Sequence, residues 1–230
     1  MLTRYVGATI PLALALSLTA CSDTGINPTS TTVRFVNAIP GASMLGFTSS
    51  TGFPINNIEF EGYSQCTTLA AGTVTFTLGG NGSSVPLTTL SPVTLFGGAK
   101  YTLLATGNAS NPSSLFLPDT FTAPPLGSAA LRIVNTIPIG NVDIYVGTPN
   151  SVTLINPSAT NVAVGNAAYI MVPSQQPLQV WLTTPQTTTI LASTNPNSPL
   201  TFPNNDEESL FFIGSVGGSS ALSFTVPNCP

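Results

Sequence analysis

The residues able to do chemistry are few, and their types exclude much at once. The chain has 230 residues, with 4 Lys or Arg, 8 Asp or Glu and no His. Without imidazole there is no Ser-His-Asp triad, no Cys-His dyad and no His-ligated metal. Four cations cannot build the basic face that nucleic acid requires. Glu59 and Glu61 are two apart and so share one face of a strand. Such a carboxylate pair is the equipment of a glycoside hydrolase, and an envelope hydrolase is the one enzymatic reading available; two like charges on a solvated strand give the same spacing. Asn204-Asn205-Asp206-Glu207-Glu208 offers hard oxygen donors of the kind Ca²⁺ takes, without the spacing of a calcium loop, and reads equally as a solvated turn. Lys100 is the only lysine, and no Ser-x-x-Lys precedes it. Trp181, Tyr145 and Tyr169 could stack on a sugar, which would make the chain a carbohydrate-binding module. Trp181 alternates with Val180 and Leu182 and so points away from them, but the pattern does not say which face is the core. No catalytic residue, metal ligand or cofactor is assigned.

Four further side chains have candidate partners. Cys66 and Cys229 are either a disulfide, which an exported compartment permits, or two free thiols. If joined they would tie the last residues to the first half of the chain, with an entropic ceiling of about 5 kcal/mol for so long a loop. Arg132 faces Asp143 across an expected hairpin, a candidate structural ion pair.

Residues 1–20 read as an export signal. Arg4 supplies the positive start, and Val6 to Leu18 is uncharged, apolar and too short for a comfortable membrane span. It ends in Leu18-Thr19-Ala20-Cys21. That run resembles the bacterial lipobox, in which cleavage precedes the cysteine and its sulfur carries the lipid. The resemblance implies lipidation at Cys21, with the acyl chains as the membrane contact. Ser22 after the cysteine implies sorting to the outer membrane, at its periplasmic or surface face. The mature chain would keep Arg34, Lys100 and Arg132 against eight acids. Residues 21–32 are Ser, Thr, Asn, Gly and Pro with Ile26 as the only core-former, a flexible tether reaching about 20 Å.

The elements that must position these groups come in two similar sets. Val33-Arg34-Phe35-Val36-Asn37-Ala38-Ile39-Pro40 returns as Leu131-Arg132-Ile133-Val134-Asn135-Thr136-Ile137-Pro138, with five of eight positions identical. Leu69 to Gly72 matches Val162 to Gly165, and Leu115 to Pro118 matches Ser223 to Pro227. Units over 33–126 and 127–230 follow, joined at Ala123-Pro124-Pro125-Leu126-Gly127. Within each the apolar period is two, as in Thr73 to Leu78, Val142 to Val146 and Leu178 to Leu182. Short runs rich in branched Cβ atoms, cut by Gly, Pro and Asn, predict an all-β chain of two tandem immunoglobulin-like antiparallel β-sandwich units. With 5% charged residues, exposed edges have little electrostatic protection. They must be guarded by Pro and short length, or the chain self-associates.

The repeated Arg-to-Pro motif, the Val142-Asp143-Ile144-Tyr145-Val146 strand, the turns at Gly72 and Gly165 and the late Tyr101-Thr102 strand resemble the domain-of-unknown-function family 4397. The family motif has His where this chain has Asn37 and Asn135. Met44-Leu45-Gly46-Phe47 replaces the Asp-bearing strand in the first unit. The resemblance implies a sandwich and no established biochemical role. The functional expectation is a non-enzymatic, lipid-anchored envelope protein of binding or structural type, with polysaccharide or another envelope protein as partner.

Overall fold

The computed structural model describes residues 29–42, 44–80, 86–151, 154–213 and 222–229. The export signal, Cys21 and most of the tether lie outside the described residues. Among the described residues all regular structure is strand, and no helix is long and apolar enough to cross a membrane. The first unit contains β1 (Ser30–Asn37), β2 (Leu45–Ser49), β3 (Pro54–Ile58), β4 (Thr67–Ala70), β5 (Gly72–Val74), β6 (Phe76–Gly80), β7 (Pro86–Thr89), β8 (Val93–Leu95), β9 (Lys100–Asn108) and β10 (Asn111–Pro118). The second contains β11 (Ser128–Asn135), β12 (Val142–Gly147), β13 (Ala159–Val162), β14 (Ala167–Pro173), β15 (Gln179–Thr183), β16 (Ile190–Ser193), β17 (Glu207–Ile213) and β18 (Leu222–Pro227).

Each unit is a sandwich of two four-stranded sheets, and the strand orders correspond. In the first unit β4-β1-β9-β10 packs on β3-β2-β6-β7; in the second β14-β11-β17-β18 packs on β13-β12-β15-β16. The pairs β1 with β9 and β11 with β17 are parallel, in registers that set Arg34 beside Thr102 and Arg132 beside Ser209. The other pairings are antiparallel. A short β5-β8 ribbon has no counterpart among the described strands of the second unit.

Alternation along the strands fills each core. Val33 and Phe35 of β1 meet Leu103 of β9 and Phe47, Phe76 and Leu78 of the facing sheet. Leu131 and Ile133 of β11 meet Leu210 and Phe212 of β17 with Ile144, Val180 and Leu182 opposite. The intervening residues of the four inner strands are also buried, because the two inner sheets face each other. Val36, Leu104 and Leu117 of the first unit pack on Val134, Phe211, Ile213 and Val226 of the second. Among the described residues the four-stranded sheets therefore form four layers around three apolar cores, and β1, β9, β11 and β17 are buried on both faces. Such strands read as nearly continuous apolar runs, as in Leu103-Leu104-Ala105 and Leu210-Phe211-Phe212-Ile213.

The facing follows from cross-unit contacts. Arg132 of β11 reaches Thr102 of β9, and the Tyr169 hydroxyl of β14 donates to the carbonyl of Pro118 at the end of β10 at 2.8 Å. Cys66, just before β4, is joined to Cys229, just after β18, across a sequence separation of 163. The order β4-β1-β9-β10 thus lies over β18-β17-β11-β14. That is the relation of a pseudo-two-fold axis, under which each contact has a counterpart with the units exchanged.

The outer edges are closed by composition rather than charge. Edge strands β3, β7, β10, β14 and β18 carry Pro54, Pro86, Pro112 and Pro118, Pro173 and Pro227, while β4, β13 and β16 have four residues each. Proline withholds a donor and a short edge offers few groups to pair. One sequence match is out of register: Gly165 opens the turn into β14, whereas Gly72 follows β4. The position that corresponds to Gly165 is Glu61. Both N–H groups donate to the carbonyl of the strand-ending Asn, Glu61 to Asn37 at 2.9 Å and Gly165 to Asn135 at 2.7 Å, and both have positive φ, 61° and 81°.

Candidate functional site

The functional side chains gather where the inner sheets meet. Arg132 alternates with Leu131 and Ile133, which face the second core, so its side chain projects into the junction between units. There its Nε donates to Ser209 Oγ at 2.9 Å, Nη2 to Thr102 Oγ1 at 3.0 Å, and Nη1 to the Pro118 carbonyl at 3.2 Å and to the Asp119 carboxylate. Asp119 also accepts from Thr102 Oγ1 at 2.9 and 3.1 Å, and both members of the ion pair are 0% exposed. The Phe121 ring lies 5.5 Å from the Arg132 guanidinium and meets the Tyr169 ring edge-on.

Arg132 does not pair with Asp143, contrary to the sequence expectation. Asp143 is flanked by Val142 and Ile144, which face the same core as Leu131 and Ile133. Arg132 and Asp143 therefore point out of opposite sides of a sandwich whose layers are about 10 Å apart. The Asp143 carboxylate instead accepts from the backbone N–H of Asn161 at 2.7 Å and of Gln186 at 2.8 Å, fixing edge strand β13 and the loop after β15. At the corresponding outward position of β2 stands Gly46, where a Cβ would collide with the Ile55 carbonyl.

Arg34 faces the same junction from β1. It is 1% exposed, and its guanidinium stands 5.8 Å from the Tyr63 ring. Burial lowers its pKa to about 10, with Asp119 acting against the shift and Arg132 with it. Asn37 and Asn135 are structural: each side-chain oxygen accepts from the N–H two residues on at 3.1 Å. Each amide donates to turn carbonyls, of Ile58 for Asn37 and of Gly140 and Val162 for Asn135.

Beside the polar junction a cleft of about 740 Å³ opens where β9 and β17 begin and β10 and β18 end. Its rings are Phe96, which is 67% exposed, Phe116, stacked on Tyr101 at 4.6 Å, and Phe121. The charged groups on its walls are already bonded within the protein. Lys100 Nζ donates to the Cys229 carbonyl at 2.8 Å, Asp119 holds Arg132, and Glu207 Oε2 accepts from Asn228 Nδ2 at 2.7 Å.

The remaining candidates disperse. Glu59 and Glu61 sit exposed in the turn after β3, not on a strand face, with the Gly62 N–H donating to the Glu59 carbonyl at 2.9 Å. Trp181 pairs with Tyr145 on the outer sheet, where both are buried, while Tyr169 belongs to the junction. The three rings form no platform. In the acidic cluster Asn205 Nδ2 ties down the Pro124 carbonyl at 2.8 Å, and no group of three or more His, Cys, Asp or Glu among the described residues could hold a metal ion. Asp119 is the functional residue that sequence reasoning missed.

The sequence model of a family described as a domain of unknown function (DUF4397) matches residues 31–145, the whole first unit with β11 and most of β12. The chain belongs to the DUF4397 family. No curated protein matches it. Among solved structures, the CBM26 domain CBMbc of Eubacterium rectale Amy13K, crystallised with maltoheptaose, is similar at 11% identity. The match covers 87% of this chain and 98% of that one, with a TM-score of 0.30. The Bacillus anthracis TIE protein matches at 8% identity over 87% of this chain and 31% of its own, with a TM-score of 0.25.

Proposed function

We propose that the chain is a non-catalytic binding protein of the bacterial envelope, lipid-tethered at Cys21, that receives a polysaccharide segment in the cleft between its units. The observation that carries the reading is the setting of aromatic rings beside charged groups that already hydrogen-bond within the protein. Asp119 is ion-paired with Arg132, while Lys100 and Glu207 each keep a neutral hydrogen-bond partner, the Cys229 carbonyl and the Asn228 amide. A neutral sugar needs no countercharge. It presents one apolar face to a ring and hydroxyls to Thr94, Thr120 and the backbone of the walls. The lipobox at Leu18 to Cys21 supports the placement at the envelope.

A glycan array probed with the full chain tests the ligand class. Phe96→Ala removes an exposed ring and spares the cores, so binding should fall about tenfold or more, equivalent to about 1.4 kcal/mol. Phe53→Ala, an exposed ring outside the cleft, should leave binding unchanged. Equal binding by the parent and Phe96→Ala, or no glycan bound at all, refutes the cleft. Cys21→Ala should move the chain from the membrane fraction to the soluble one and remove the acyl mass; an unchanged distribution refutes the tether.

A further inference from the structure

Two buried groups at the junction lack partners, and they are the two that the pseudo-two-fold axis would bring together. Arg34 Nε and Nη2 are buried without a hydrogen bond, and so is Asn228 Oδ1. Buried donors in folded proteins are nearly always satisfied, so such atoms call for an explanation. Arg132 shows what the position requires, because it holds an acid. Asp119 and Asn228 correspond: each follows the proline that ends an edge strand. The Asp119 N–H donates to the Lys100 carbonyl at 2.9 Å, and the Asn228 N–H to the Glu207 carbonyl at 2.8 Å. Lys100 and Glu207 each lie two residues before the hydroxyl, Thr102 or Ser209, that shares the junction with the arginines. One side of the axis thus has an aspartate and the other an asparagine.

The chemistry of the bare atoms narrows what is missing. Nε and Nη2 form the side edge of a guanidinium, two parallel donors spaced for the two oxygens of a carboxylate. Charge narrows it further. Arg34 and Arg132 face the single carboxylate of Asp119, which Arg132 already holds. The groups that act on Arg34 are Asp119, Arg132 and Tyr63. A water could fill the hydrogen bonds but would leave the charge uncompensated. The cleft wall includes Asn228, while Arg34 lies behind it and does not line the cleft.

We propose that Arg34 is a buried anion site that takes a small monocarboxylate, of formate or acetate size, in place of the acid missing at Asn228. The site is independent of the polysaccharide reading and stands or falls without it.

The test is thermal unfolding of the full chain at fixed ionic strength, with sodium chloride replaced stepwise by sodium formate or acetate. The parent midpoint should rise in proportion to the logarithm of carboxylate concentration once the site is half filled, as for any ligand that binds only the folded state. Asn228→Asp, made together with Glu207→Gln so that the new carboxylate does not face the one that Asn228 Nδ2 now holds at 2.7 Å, supplies the carboxylate internally. It should start at a higher midpoint than the parent and should not respond. Arg34→Met should not respond either. The same midpoint for the parent in chloride as in acetate overturns the proposal. So does an Asn228→Asp variant that responds as strongly as the parent, which would mark the effect as a general one of the salt. If Arg34→Met does not fold, the comparison of parent with Asn228→Asp decides alone.

Discussion

Replacing Asp119 by Asn would remove the charge that anchors the junction while keeping the shape of the side chain. Asp119 and Arg132 are both 0% exposed, and the carboxylate accepts from Arg132 Nη1 and Thr102 Oγ1. Taking one partner from a buried pair costs about 3–5 kcal/mol, because the other charge stays behind without compensation. Arg132 would keep its bonds to Ser209 Oγ, Thr102 Oγ1 and the Pro118 carbonyl, of 2.9, 3.0 and 3.2 Å. That residual solvation places the expected loss at the low end, about 3 kcal/mol, or a Tm about 6–12 °C lower for a chain of this length. Trp181, the single tryptophan, gives a fluorescence signal for urea and thermal unfolding. Moving the acid across the axis is the sharper experiment. In a Glu207→Gln background, which removes the carboxylate that Asn228 Nδ2 holds, Asp119→Asn with Asn228→Asp hands the carboxylate to Arg34 and should recover half or more of the loss. A single Asp119→Asn variant within about 1 kcal/mol of the parent, the range of an exposed ion pair, would refute the view that this buried pair stabilises the junction. A double variant no better than the single would refute the two-fold correspondence of the two positions.

Two further outcomes follow from the same geometry. Cys66→Ser with Cys229→Ser opens a link of sequence separation 163 and should cost about 2–5 kcal/mol in guanidinium unfolding; an unchanged midpoint would show that the link adds nothing to the packed junction. Glu208 has its pKa raised from the ordinary 4.5 to about 7 by burial first and by Asp206 second, with Thr225 opposing. The folded state therefore holds a proton that the unfolded chain releases. This contribution is complete below about pH 4.5 and lost as pH rises through about 7. Glu208→Gln should flatten the slope of Tm against pH in that window, and an unaltered slope would place the titrating group elsewhere.

The fold class was legible because the strands carry their period openly and the breaks between them are Gly, Pro and Asn. The guarded edges were legible for the same reason, since proline in an edge strand is a local fact. The inner sheets were harder. Leu103-Leu104 and Phe211-Phe212-Ile213 break strict alternation, and that break is the mark of strands covered on both faces. A search for one solvated face passes over it. The partner of Arg132 was out of reach for a different reason. Parity along β11 sends the arginine away from its own sandwich, and nothing local says that a second sheet waits there. Asp119 stands just past the end of β10, where no periodicity assigns it a direction. The mismatch of Gly72 with Gly165 arose because an aliphatic-x-x-Gly run is short enough to occur wherever a strand meets a turn.

What sets the two units in register is better assigned to the apolar face than to the ions. Val36, Leu104 and Leu117 against Val134, Phe211, Ile213 and Val226 form a patch that is self-complementary under the axis, so it accepts either unit on either side. Corresponding positions differ in size, as Leu104 does from Phe211, but all are apolar and none gives the junction a polar end. The distinction comes from the polar residues around it. Arg132 takes both hydroxyls and the acid, whereas Arg34 has an aromatic ring and no hydrogen bond at Nε or Nη2. At one margin a tyrosine hydroxyl meets a carbonyl, and at the other a disulfide closes the chain. A symmetric hydrophobic face with asymmetric polar surroundings separates two tasks. Burial holds the halves together with little regard to which is which, while the unequal ends create one corner with an unspent cation and one cleft with exposed rings. If binding is what this junction does, its specificity resides in the positions where the correspondence fails, at Asn228 opposite Asp119 and at Cys66 opposite Tyr169, and not in the residues that the two units share.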